Sequence, residues 1–176
     1  MRLIAPDRYL TSVLAIDLHA LRSSGVEALL VDLDNTLLPR DSQSVPADLA
    51  EWVASLPALG FKVCLVSNNW HEHVRTVANG LALPLVAKAI KPLPFAFWRA
   101  TGIIGVRPGR CAVVGDQLFT DVIGGKLIGA RTIMVLPLSE TDLPHTLLLR
   151  RLEKRIMKGA RAEGPAREIE GGGPSC

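Results

Sequence analysis

Short apolar runs along this chain alternate with longer stretches in which apolar residues recur every three or four positions, and most of the runs end in a polar cluster. Ala28-Leu29-Leu30-Val31 has the length and composition of a buried strand, predicted over about Glu27–Leu33. Phe61–Val66, Leu85-Val86, Arg110–Val114 and Arg131–Leu136 read as further strands. Between them, helical spacing predicts helices over Pro46–Leu59, with Leu49, Trp52, Val53 and Leu56 on one face, and over about His71–Leu81, Pro92–Ile103 and Leu118–Ile128. Ahead of the first strand, Leu10, Val13, Leu14, Leu18 and Leu21 predict a helix within Tyr9–Ser24, ended by Gly25. Regular alternation of strand and helix predicts an α/β fold, a doubly wound parallel sheet in three layers with right-handed crossovers.

Composition narrows this picture. The chain has 176 residues, 48% hydrophobic but only 5% aromatic, which suits one domain with an aliphatic core. The domain is expected over 1–158, closing in a basic amphipathic helix at 143–158. The Gly-, Pro- and Glu-rich stretch 159–176 is expected to be a disordered tail. Cys64 and Cys111 lie inside apolar runs and Cys176 is terminal, so the cysteines read as reduced thiols rather than as a disulfide or zinc framework. No apolar run has the length of a membrane span and the first residues lack a signal-peptide core, so the expected location is cytoplasmic, free or peripheral on the inner face of the membrane. The net charge of +3 is concentrated at 147–161, where Arg150, Arg151, Lys154, Arg155, Lys158 and Arg161 face a single acid, Glu153.

The chemistry gathers at strand ends. Asp32 and Asp34 follow the first strand two residues apart, and strand geometry sends them to one side. Two like charges held there are costly unless a cation or a proton sits between them. Asn35 then opens the loop, where a small polar residue tolerates an unusual backbone angle. Ser67 follows the second strand, Lys91 the short third, and Asp116 and Asp121 the fourth. In open parallel sheets ligands bind beyond these carboxyl ends. Carboxylates of this density call for a hard divalent cation such as magnesium, while a lysine and a hydroxyl suit the non-bridging oxygens of a phosphoryl group. His71 and His73 read as a solvated helix start, Asp17 as a helix cap, and Trp52, Trp70 and Trp98 as core or rim packing.

The ordered motifs DLDNT, SNN, KP and GDQLFTD closely resemble those of the haloacid-dehalogenase (HAD) phosphatases. Within them the chain resembles the capless IIIA class and its YqeG-type family, which includes the mitochondrial phosphatidylglycerophosphate phosphatases. The resemblance spans roughly Pro6–Leu138. It implies that Asp32 is a nucleophile forming an aspartyl-phosphate, and that Asp34 is general acid and then base. It further implies magnesium held by the Asp32 carboxylate, the Asp34 backbone carbonyl and Asp116, with Asp121 orienting metal waters or Lys91. Thr36, Ser67, Asn68 and Lys91 would place the phosphate. Lys91 is preferred over Lys88 because Lys-Pro at a helix entry is the family pattern, and Lys126 departs from that pattern.

The motifs define a reaction, not a substrate. Connections after Thr36 and after the second strand leave no room for an inserted cap domain, and an open site suits a large or surface-bound ester. Leu148, Leu152 and Ile156 recur along the closing helix with Leu149 beside them and basic residues elsewhere, which fits either docking on the sheet or lying on an anionic membrane. The family resemblance favours phosphatidylglycerophosphate, hydrolysed to phosphatidylglycerol in phospholipid biosynthesis. The alternatives are a cytosolic phosphatase of a sugar phosphate, nucleotide or phosphoprotein, and a non-enzymatic scaffold; no nucleic-acid partner is expected. Receiver-type phosphoacceptor domains are disfavoured, because they take the phosphorylated aspartate from a different strand than the acidic pair.

Overall fold

Strand β2 (Ala28–Val31) is buried along its whole length and lies inside a six-stranded sheet in which every pairing is parallel. This computed structural model describes residues 5–39, 42, 44–139, 152–153, 155–157 and 159–165. The remaining strands are β1 (Arg8–Leu10), β3 (Lys62–Val66), β4 (Leu85–Val86), β5 (Cys111–Gly115) and β6 (Arg131–Val135), in the spatial order β1-β6-β5-β2-β3-β4. The chain runs outward from β2 through β3 to β4, then returns to the other side of β2 as β5. That reversal, between β2 and β5, opens a crevice at the carboxyl ends of the two strands.

Alternating residues of β2 serve two cores. Leu29 and Val31 join Leu49, Trp52, Val53 and Val74, which lie on α2 (Ala47–Ser55) and α3 (Glu72–Gly80). Ala28 and Leu30 join Phe97, Ala100 and Ile104 of α4 (Pro94–Ile104) on the opposite face. These are the three layers the sequence predicts, with a strand buried on both faces as a parallel sheet requires. On that second face α5 (Ile123–Leu127) packs tightly because Gly124 and Gly125 lack side chains. A Cβ on Gly124 would lie 2.3 Å from the Phe97 ring, and one on Gly125 would lie 2.7 Å from Thr132.

Two expectations are corrected. The stretch Tyr9–Ser24 is not one helix: Arg8–Leu10 forms edge strand β1 on β6, a 3-10 turn covers Val13–Ala15, and α1 is only Leu18–Ser23. Asp17 caps α1 as expected, its Oδ1 accepting from the Ala20 N–H at 2.8 Å. The helix predicted over Leu118–Ile128 opens with a π turn, Leu118–Val122, before α5, and both the Asp121 and Val122 amides donate to the Gln117 carbonyl. Glu163 lies in the stretch expected to be a tail. Glu163 bonds through its backbone to Tyr9 and Thr11 and through its carboxylate to Arg8.

The helix expected at 143–158 lies mostly outside the described residues, as does the tail beyond 165. Of the residues that are described, Glu153 is buried and accepts from the Phe119 amide at 3.2 Å, and Met157 packs on Leu118, Val122 and Met134. Leu152 and Ile156, expected on the apolar stripe, are exposed. Among the described residues no helix is long and apolar enough to cross a membrane.

Candidate active site

Asp32 directly follows β2 and Asp116 directly follows β5, so the two acids stand at the reversal point of the sheet. The Asp32 amide still donates to the Val114 carbonyl at 2.8 Å, so its backbone continues the ladder while its side chain clears it. Beyond it the chain turns tightly, with the Leu37 and Leu38 amides both donating to the Leu33 carbonyl. Asn35 adopts the left-handed conformation expected of it, φ 62°.

Lys91 is the hub. Its Nζ lies 2.6 Å from Asp32 Oδ1 and 2.7 Å from Asp121 Oδ1, and all three side chains are almost wholly buried. Burial alone would lower the Lys91 ammonium, but Asp121 and Asp32 outweigh it and hold the group above its ordinary value. Burial pushes the Asp32 carboxyl well above the usual carboxylate range; Lys91 opposes this, and Asp121, Asp116 and Asp34 add to it. Lys88 takes no part: it is exposed, with Nζ 5.2 Å from the centre of the Trp70 ring.

Asp121 reaches the hub because of the π turn and because Gly115 has no side chain. A Cβ at Gly115 would lie 2.2 Å from Asp121 Cγ. The second Asp121 oxygen accepts from the Gln117 amide at 3.3 Å and from the Thr120 hydroxyl at 3.1 Å. Gly115 and Thr120 sit inside the GDQLFTD motif, but their spacing carries no sign of these contacts.

Asp34 faces a different set of partners. Its carboxylate accepts from Ser67 Oγ at 2.8 Å and from Asn69 Nδ2 at 3.2 Å, and the Asn69 amide in turn donates to Ser67 Oγ. The sequence marks Asn69 only as the second asparagine of the SNN motif. Asn68 instead holds the Lys91 main chain, accepting from the Lys91 amide at 2.7 Å. Thr36 is buried, and its hydroxyl has no hydrogen-bond partner among the described residues. Lys126 lies away from the site, in a close ion pair with Asp7.

Carboxylate oxygens of Asp32, Asp116 and Asp121 all lie within 4.8 Å of one another. Among the described residues these three buried carboxylates gather around the Lys91 ammonium, and every carboxylate donor is a hard oxygen. This set fits a divalent cation of the magnesium type. Asp121 belongs to the carboxylate cluster more directly than its expected orienting role requires.

Comparison with known proteins places this geometry in a family. The HAD-hydrolase-like family matches residues 89–141, which carry Lys91, Asp116 and Asp121. Over 159 residues the chain is 35% identical to the Bacillus subtilis protein named Probable phosphatase YqeG, covering 90% of this chain and 92% of that one. It is 26% identical to phosphatidylglycerophosphate phosphatase 1 of Arabidopsis thaliana, covering 81% of this chain and 44% of that protein. A HAD family enzyme of Bacteroides thetaiotaomicron, solved with magnesium and inorganic phosphate, superposes with a TM-score of 0.51 at 15% identity, over 69% of this chain and 98% of that one. An ordered set of four motifs, a parallel sheet reversing beside Asp32 and a near full-length relative agree: the chain belongs to the haloacid-dehalogenase-like hydrolases, in the YqeG-type phosphatase family.

Proposed function

We propose that this phosphatase is a magnesium-dependent phosphomonoesterase that works through an aspartyl-phosphate on Asp32, and that its substrate is a lipid phosphate, phosphatidylglycerophosphate. The observation that carries the mechanism is the buried Lys91 ammonium 2.6 Å from Asp32 Oδ1, beside the Asp116 and Asp121 carboxylates. Lys91 fixes the Asp32 rotamer and offers positive charge to an incoming phosphoryl group. An Asp32 oxygen forms the bond to phosphorus as the bond to the leaving alkoxide breaks, and Asp34 gives that alkoxide its proton. Asp34 then takes a proton from water, which attacks phosphorus and returns Asp32 and inorganic phosphate. Ser67 and Asn69 hold the Asp34 carboxylate at the mouth for both transfers. Ser67 and Thr36 supply hydroxyls for the phosphate oxygens, and Asn68 positions Lys91. Magnesium, held by Asp32, Asp116 and the Asp34 carbonyl with Asp121 adjoining, would shield the carboxylate from the phosphate.

Two features support a lipid ester. The Arabidopsis relative acts, by its name, on phosphatidylglycerophosphate. Connections from Leu38 to Ala47 and from Val66 to Glu72 are short, so neither has room for an inserted cap domain. The anionic membrane surface is the proposed partner, with the basic segment 147–161 adding charge toward it.

The test is phosphate release from phosphatidylglycerophosphate in mixed micelles, with and without magnesium, for wild type and Asp32→Asn. Magnesium-dependent release that vanishes in the variant is the expected result. Turnover of p-nitrophenyl phosphate lost in Asp32→Asn, with none of the lipid, would keep the mechanism and assign the enzyme to a soluble ester. Silence on both would return the protein to a scaffold.

A further inference from the structure

Large apolar side chains crowd the mouth of this site and stay in solvent. Trp70, one residue past Asn69, is 62% exposed, and Ile90, immediately before Lys91, is 67% exposed. On α4, Phe95 is 68% and Trp98 49% exposed, their rings meeting edge to face at 5.7 Å. Leu93, two residues past Lys91, is exposed as well. Helix α4 is thus apolar on two sides: Ala96, Phe97, Ala100 and Ile104 enter the core, while Phe95, Trp98 and Ile103 do not. Single exposed apolar residues are ordinary, but a paired ring couple on α4 together with Trp70 and Ile90 on the loops that carry the catalytic residues marks a contact surface.

Its charge has one sign on the α4 side. Residues 87–106 contain Lys88, Lys91 and Arg99 and no acid. Lys91 is consumed in the site, whereas Lys88 and Arg99 are exposed, Lys88 lying over the Trp70 ring. On the neighbouring start of α3, Glu72 is accompanied by exposed Arg75. The patch is also tied to the chemistry. The Lys88 amide donates to the Asn69 carbonyl at 3.3 Å and the Lys91 amide to Asn68 Oδ1 at 2.7 Å, so the two loops that carry Trp70 and Ile90 are the loops that hold Ser67 and Lys91.

We infer that this rim seats the enzyme on a bilayer containing anionic phospholipid, with Trp70, Ile90, Phe95 and Trp98 at headgroup depth, Lys88 and Arg99 on lipid phosphates, and the site opening toward the membrane. The inference rests on the lipid-phosphate reading for its purpose, but names a surface that reading does not. Indole and phenyl rings favour the boundary between headgroups and acyl chains, and basic residues beside them favour an anionic leaflet. Docked this way, a phosphate standing above a lipid glycerol meets Lys91 without leaving the membrane surface.

Flotation of the full chain on phosphatidylcholine vesicles, with and without phosphatidylglycerol, tests the rim. Wild type is compared with Phe95→Glu/Trp98→Glu and with Arg155→Glu/Ile156→Glu on the closing segment. Turnover of p-nitrophenyl phosphate and mass by light scattering are read in parallel. The expected result is flotation of wild type on the anionic vesicles and a fall of about tenfold or more in the rim variant. The closing-segment variant should lose less, and the rim variant should keep its aryl phosphate turnover and its mass.

No flotation of wild type, equal flotation of the rim variant, or loss confined to the closing-segment variant would overturn the docking surface. A wild-type dimer that the rim substitutions split would overturn it too, by making a second copy the occupant. Rim-dependent flotation without phosphatidylglycerophosphate hydrolysis in micelles would sink the substrate and leave the surface standing. Hydrolysis without flotation would do the reverse.

Discussion

Two carboxylates of one residue type, two positions apart, live in different surroundings here. Asp32 is buried against the Lys91 ammonium, with Asp121 and Asp116 crowding it. Asp34 is half-buried and held by neutral donors, the Ser67 hydroxyl and the Asn69 amide. A carboxylate pinned by a cation inside a buried cluster keeps one orientation and suits attack on phosphorus. A carboxylate at the water-accessible edge, held by neutral groups, suits taking up and giving back protons. In the proposed mechanism, environment and not residue type divides the labour between them.

The sharpest way to break this comparison is to neutralise each acid in turn. Asp32→Asn should lower turnover by about four orders of magnitude or more and leave no phosphoenzyme in acid-quenched samples. Asp34→Asn should differ in kind. With p-nitrophenyl phosphate, whose leaving group needs no proton, it should release one equivalent of nitrophenol and then stall, with label trapped on Asp32 and steady turnover down by about two to four orders of magnitude. Equal behaviour of the two variants would dissolve the distinction.

Lys91→Met tests the cation that defines the Asp32 side. Leaving buried carboxylates without it should cost about 3–5 kcal/mol of stability, along with turnover. Added magnesium should raise the melting temperature of this variant more than that of wild type, because a dication meets the Asp32 and Asp121 charge that the lysine leaves behind. Gly115→Ala is smaller. Its new methyl must displace Asp121, which should cost about 1–3 kcal/mol and slow turnover about tenfold without changing the order of substrates.

The smallest effect lies far from the site, at Asp7. Burial pushes its carboxyl up, but the Lys126 ammonium and the donors of Thr132 outweigh it and hold the group below its ordinary 3.8. A lowered carboxyl contributes stability that is present above the ordinary value and lost as pH falls through the lowered one. Asp7→Asn should therefore lower the melting temperature slightly at neutral pH, and the difference from wild type should close in acid.

What the sequence made legible was local. A continuous apolar run ending in Asp-Leu-Asp identifies a buried strand and the floor of a site, and a small polar residue after it marks a left-handed turn. Distance in sequence hid the rest. Strand β1 has three residues and pairs with β6 more than a hundred positions later, so Leu10 and Val13 read as helix. The π turn that lets Asp121 reach Lys91 leaves no mark in the apolar periodicity. The rim was hidden because α4 is apolar on both sides: spacing alone does not say that Phe97 goes in while Phe95 and Trp98 stay out.

The contact between Glu163 and β1 has a consequence for solubility. An open parallel sheet ends in strands whose unpaired amides and carbonyls can template another chain. Here Glu163 occupies the outer side of β1, its amide donating to the Tyr9 carbonyl at 2.9 Å and its carbonyl accepting from the Thr11 amide at 3.0 Å. The opposite edge strand, β4, is two residues long. Among the described residues neither margin of the sheet offers a run long enough to nucleate intermolecular β-pairing, so crowding at a surface need not lead to polymerisation.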